Sequence, residues 1–246
     1  MLKPVLKPVC GEIRKYLSTP SVRFHSNLYR SIQGLFSYDE HEKMLKMAMD
    51  YVKNSRLEGD YLEFGVYRGN SFSLAFHFAT ADDLNHMKFY AFDSFSGLPS
   101  ISGIDQKGFQ HFEKKQYACD EREFRSILTT NRVDLRKVEI VPGYYSDVLT
   151  PALKQRIKLK KAAVIMVDCD LYESTVPVLE FISNIIQDGT LIIFDDWYCF
   201  RGNPHRGEQR AFSEWLQKNP EWGAIQFHRY ALDGLSFILY KNTNGE

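Results

Sequence analysis

A chain of 246 residues has room for one large α/β domain or two small ones, and at this size roughly three quarters of the unfolded surface is buried on folding, so no staple is needed. Its 31 lysines and arginines balance 31 aspartates and glutamates, which argues against a nucleic-acid or anionic-membrane binder working by bulk charge. Charged residues at 25% and hydrophobics at 44% describe a globular chain, and 14% aromatics suit a deep core or an aromatic-walled pocket.

Cys10, Cys119, Cys169 and Cys199 form no C-x-x-C pair and are too few for a disulfide scaffold, so a reduced compartment is expected. The segment MLKPVLKPVCGEIRKYL interleaves Lys and Pro with its apolar residues and has no signal-peptide apolar centre. The longest apolar run, Ala162 to Val167, is far short of a membrane span. The expectation is a soluble, cytoplasmic protein.

Along the chain, residues 1–36 carry Pro4, Pro8 and Pro20 without a clear period and read as an arm or helical extension. Ser37 and Glu40 fit a capping box, after which Met44, Leu45, Ala48, Tyr51 and Val52 recur at helical spacing. Residues 37–246 form the expected main domain. Strands are predicted at Tyr61–Val66, Lys88–Asp93, Val138–Val141, Ala162–Asp168 and Thr190–Phe194. Helices are predicted at Ser71–Ala81, at Glu121–Thr130 behind an Asp120 cap, around Val178, Phe181, Ile182 and Ile185, and at Gly207–Lys218. A polar stretch from Ser94 to about Cys119 contains Phe109, His111, Phe112 and Tyr117 and reads as a loop that walls or covers a site. The end, Ala224–Leu232 and Leu235–Tyr240 around Asp233-Gly234, reads as a hairpin. Together these give an α/β fold: a doubly wound, mostly parallel sheet with an antiparallel C-terminal hairpin.

Ligands of such sheets bind beyond the carboxyl ends of the strands. Those ends carry Glu63, Asp93, Asp168, and Asp195 with Asp196. Each acid alone is explained as a helix cap, but so many like charges at one edge repel unless cations or hydrogen bonds compensate. Asp93 is placed like an acid that accepts from ribose hydroxyls. The glycines of Glu63-Phe64-Gly65-Val66-Tyr67-Arg68-Gly69-Asn70-Ser71 let a ligand approach the backbone, though the pattern is not the dinucleotide fingerprint. Asp168, Asp195 and Asp196 are hard oxygen donors without a His or Cys cluster, which favours Mg²⁺ or another divalent cation. Asp170 is an alternative ligand if the strand continues, and Cys169 belongs to the core.

The segments GDYLEFGVYRGNSF (59–72), FYAFDSFSGLP (89–99), VDCDLYESTVPVL (167–179) and IIFDDW (192–197), with RGEQRAFSEW (206–215), resemble the macrocin and mycinamicin O-methyltransferase family. The resemblance implies a class I methyltransferase fold (Rossmann-like), S-adenosylmethionine as methyl donor, a divalent cation, and transfer to a hydroxyl, often on a sugar of a natural product. It places Glu63, Gly65, Gly69 and Ser71 around the methionine part of the cofactor, Asp93 with Ser94 at the ribose, and Asp168, Asp195 and Asp196 at the metal. Asp168 or His205 is expected to take the hydroxyl proton. The expected partner is a small-molecule acceptor, with no nucleic acid and no membrane, and a homo-oligomer stays open. The other readings are a catechol-type enzyme acting on a phenolic hydroxyl and a binding protein that keeps the cofactor site without turnover.

Overall fold

The computed structural model describes residues 40–108 and 111–242, and the fold below is that of the unit beginning at His41. The arm expected over residues 1–36, and Ser37 of the expected capping box, lie outside the described residues. The apolar runs form strands β1 (Asp60–Phe64), β2 (Phe89–Asp93), β3 (Val138–Pro142), β4 (Ala162–Val167) and β5 (Leu191–Phe194), and the hairpin supplies β6 (Trp222–Tyr230) and β7 (Gly234–Lys241). The sheet order is β3-β2-β1-β4-β5-β7-β6. Neighbours among the first five are parallel, and β7 runs antiparallel to both β5 and β6. The chain thus winds outward in both directions from β1 and β4, the arrangement expected from the sequence.

Helices cover both faces: α1 (residues 40–55), α2 (Asn70–Ala81), α3 (Glu121–Thr130), α4 (Tyr145–Val148), α5 (Pro151–Ile157), α6 (Tyr172–Ile182) and α7 (Gly207–Lys218). Asp120 caps α3 as its position predicts, its Oδ1 accepting from the Glu123 N–H at 2.8 Å. In α6 the stripe of Val178, Phe181 and Ile182 is buried, but the helix stops at Ile182 and Ile185 packs from the turn beyond it. Among the described residues no helix is long and apolar enough to cross a membrane.

The two-residue period of the strands sorts their side chains between two cores. Leu62, Phe64, Phe92, Ile165, Val167 and Phe194 pack towards α6 and α7. Tyr61, Phe89, Val164, Met166 and Ile193 pack towards α1, α2 and α3. The ring of Phe64 is fully buried, stacked on Phe92 at 4.4 Å and meeting Phe181 edge-on at 6.3 Å.

Glu63 breaks the apolar rule. It is 0% exposed, and its two oxygens accept from the Tyr61 hydroxyl at 2.5 Å and the Ser71 hydroxyl at 2.6 Å. Burial outweighs those two bonds and pushes its pKa up to about 8.

Two outcomes follow from this packing. Phe64→Ala removes a stacked ring from between two helices and two strands and is expected to cost about 3–5 kcal/mol, read from urea unfolding midpoints. Glu63 keeps its proton when folded and releases it when unfolded over the window from its usual 4.5 to about 8, so stability falls as pH rises there. Glu63→Gln should flatten that fall when midpoints at about pH 5 and about pH 8 are compared.

Candidate active site

Beyond the carboxyl ends of β1, β2, β3, β4 and β5 lies a cavity of about 570 Å³. Its position at the reversal of winding between β1 and β4 is where open α/β sheets place their ligands. The two strand ends approach closely there. Gly65 has φ +91°, and a Cβ on it would fall 1.9 Å from the Asp168 carbonyl oxygen. No other residue fits, so the turn after β1 and the acids after β4 form the two sides of one crevice.

On the β1–β2 side the cavity is lined by Gly65, Asp93 and Ser94, three of the six residues expected at the cofactor. Asp93 is fixed by the backbone: its Oδ2 accepts from Val66 N–H (2.9 Å) and Tyr67 N–H (3.1 Å), and its Oδ1 from Phe95 N–H (2.7 Å). Burial raises the Asp93 pKa while these N–H bonds oppose the rise. The Ser94 hydroxyl donates to Gly97 O at 2.8 Å and turns the chain into the following loop.

The other three stand behind the cavity rather than in its lining. Glu63 and Ser71 bind one another, linking the end of β1 to the start of α2. Gly69, at φ +69°, lies against the Phe124 ring, where a Cβ would meet Cε2 at 2.7 Å. Its smallness serves the packing of α3 on α2.

On the β4–β5 side the acids converge differently from the expected set. Ligand atoms of Asp168, Asp170 and Asp196 lie within 4.8 Å of one another. Asp195 also lines the cavity, but its Oδ1 accepts from the Tyr230 hydroxyl at 2.8 Å and is 3.0 Å from His41 Nε2. Tyr230, from the C-terminal hairpin, and His41 hold Asp195, which parts it from Asp196. Asp170 takes the third place. It has left-handed backbone at φ +61°, and its N–H donates to Asp196 Oδ2 at 3.0 Å. Cys169 is buried in the core, as expected.

A further acid joins them from α7. Glu208 is 1% exposed, and its Oε2 accepts from Asp196 N–H at 3.0 Å. Burial and mutual repulsion drive the pKa values of Asp168, Asp170 and Glu208 well above the carboxylate range, and that of Asp196 to about 7. Among the described residues no lysine or arginine forms an ion pair with any of the four. The three converging aspartates fit a hard divalent cation, which would relieve repulsion that no described basic side chain offsets. The sequence offered a sign of Glu208: it shares the apolar stripe of α7 with Ala211, Phe212 and Trp215, where an acid must be buried.

The loop after β2 closes one flank. Leu98, Pro99, Ser100, Gln116 and Tyr117 line the cavity. The loop is anchored: buried Asp105 accepts from Tyr172 N–H (3.1 Å) and Glu173 N–H (3.0 Å), capping α6 from outside the helix. Arg206 donates to the carbonyls of Asp105 and Lys107. Phe112 packs on Phe200 at 5.7 Å, whereas Phe109 lies outside the described residues. His205 is exposed on the turn before α7, with its N–H on Asn203 Oδ1 at 2.9 Å, and is not part of the cavity lining.

The chain is similar to known methyltransferases in sequence and in structure. It is 27% identical over 157 residues to demethyldecarbamoylnovobiocin O-methyltransferase of Streptomyces niveus. It is also 27% identical over 157 residues to 8-demethyl-8-(2,3-dimethoxy-alpha-L-rhamnosyl)-tetracenomycin-C 4'-O-methyltransferase of Streptomyces olivaceus. Each match covers 62% of this chain and spans 58% of the relative's length. In structure it is similar to the O-methyltransferase NovP, with a TM-score of 0.67 and 23% identity over 82% of this chain and 80% of that one, which shows a shared fold. The profile described as Macrocin-O-methyltransferase (TylF) matches residues 39–213, from α1 through the strand-end acids into α7, and the chain belongs to that family.

Proposed function

We propose that the chain is an S-adenosylmethionine- and divalent-cation-dependent O-methyltransferase acting on a hydroxyl of a sugar moiety in a natural product. The observation that carries the reading is the meeting of Asp168, Asp170 and Asp196 at the wall of a cavity whose other wall is Gly65 and Asp93. The sugar is inferred from family membership and from the rhamnosyl compound in the name of one relative.

When bound, S-adenosylmethionine supplies a sulfonium methyl group, and the cation, Mg²⁺ or one like it, supplies positive charge that makes a hydroxyl more acidic. The remaining work falls to the chain. Asp93 accepts from the ribose hydroxyls, positioned by its three backbone N–H bonds. Gly65 leaves the backbone open to the methionine part, and Glu63, Gly69 and Ser71 build the turn that holds it. Asp168, Asp170 and Asp196 would hold the cation, with Asp195 beside them on the cavity wall. The hydroxyl proton passes to the Asp168 carboxylate, which stands at the cavity, rather than to His205, which does not line it. Tyr67 and Tyr117, whose rings meet at 5.8 Å, give the acceptor an aromatic surface beside the acids.

The test is methyl transfer to a panel of rhamnosides and catechols, with S-adenosylmethionine binding followed by calorimetry. Chelation by EDTA and Asp168→Asn should each lower kcat by about 100-fold or more, the loss expected from several kcal/mol of charge stabilisation, while cofactor affinity changes little. Turnover that survives both treatments sinks the cation mechanism. Preference for flat catechols would favour a phenolic acceptor, and binding without transfer to any acceptor would mean a silent cofactor site.

A further inference from the structure

Glu208 sits where the apolar stripe of α7 would ordinarily carry a hydrophobic side chain. Its neighbours on that stripe, Ala211, Phe212 and Trp215, are all buried. Of its two carboxylate oxygens, Oε2 accepts from the backbone N–H of Asp196, while Oε1 is buried with no hydrogen-bond partner among the described residues. Retaining a buried carboxyl with an unsatisfied oxygen is costly, and the cost calls for a return.

The hydrogen bonds leading from Glu208 identify that return. Glu208 holds the Asp196 N–H at 3.0 Å, and Asp196 Oδ2 in turn holds the Asp170 N–H at 3.0 Å. The other Asp196 oxygen accepts from the Cys199 thiol at 3.3 Å. One chain of contacts therefore sets the backbone of two of the three acids that converge with Asp168. Its starting point is closely packed: Gly207 begins α7 at φ +53° under the Phe200 ring, and a Cβ there would meet that ring at 2.8 Å. Glu208 is not itself one of the converging group.

We propose that Glu208 is a positioning residue for the cation site: by accepting from the Asp196 N–H it fixes Asp196, and through it Asp170, where their carboxylates meet that of Asp168. This rests on the cation reading above. Its contribution is a hydrogen bond of defined reach, so reach rather than charge should matter.

Two conservative variants separate those properties in the full chain. Glu208→Gln keeps an acceptor oxygen at the same length and loses the charge; Glu208→Asp keeps the charge and is one methylene too short. Calorimetric titration with Mn²⁺ should give a wild-type affinity that Glu208→Gln holds within about 3-fold and Glu208→Asp weakens by about 10- to 100-fold, the usual cost of losing a partner that orients a ligand. S-adenosylhomocysteine affinity and the melting curve serve as controls for the fold. Wild-type-like Mn²⁺ binding in Glu208→Asp overturns the inference, including when only its melting temperature falls, because that is the mark of a purely structural role. Equal weakening in both variants overturns it in favour of charge. A wild-type protein that binds S-adenosylhomocysteine but no Mn²⁺ removes the cation reading, and this inference with it.

Discussion

The repulsion among buried and half-buried carboxylates at one sheet edge is the constraint around which the rest of the protein is arranged. Asp168, Asp170, Asp196 and Glu208 come from two strand ends and a helix, and among the described residues no basic side chain pairs with them. Like charges in a poorly solvated crevice destabilise a fold, and the two hydrophobic cores must overcome that penalty. They do so by sandwiching the sheet: β4 is buried along its whole length, and rings such as Phe64 and Phe194 fill the layer beneath the α6–α7 pair. Backbone N–H groups supply further compensation. Asp196 receives one from Asp170, and Glu208 receives one from Asp196, so part of the acid group is held together by the main chain it belongs to.

Two environments for carboxylates result from one topology. Asp93 and Asp105 each accept backbone N–H bonds, three in one case and two in the other, and act as local struts. The acids after β4 and β5 receive fewer such bonds and repel one another more. This division matches the proposed functions, in which the β2 side holds a neutral, hydroxyl-bearing ring and the β4–β5 side holds a cation.

Much of the fold was legible because its signals are local. The β-branched, apolar run of Ala162–Val167 has few other uses than a strand buried on both faces, and Asp120 three residues before Glu123 announces a helix start. The acids at the strand ends were legible for the same reason, since a strand followed by a helix fixes which residue stands at the edge. What the sequence could not yield was orientation after the strand stops. Asp195 and Asp196 are equivalent in a string of letters, yet Tyr230, from the distant hairpin, draws Asp195 aside. Asp170 depends on a left-handed backbone, and the Glu63–Ser71 pair on a contact across a turn. Asp105 was least legible: its partners lie 67 and 68 residues away, beyond any local pattern.

That long-range cap couples two parts of the molecule that sequence keeps apart. The amides of Tyr172 and Glu173 at the start of α6 are satisfied by a side chain of the loop that flanks the cavity instead of by a residue of their own segment. Lifting the loop therefore bares the helix end, and fraying the helix end loosens the loop. These two bonds couple opening of the loop to fraying at the start of α6. Solvent exchange at those two amide protons is thus a clock for the cavity flank, reporting from inside the protein how often that side stands open.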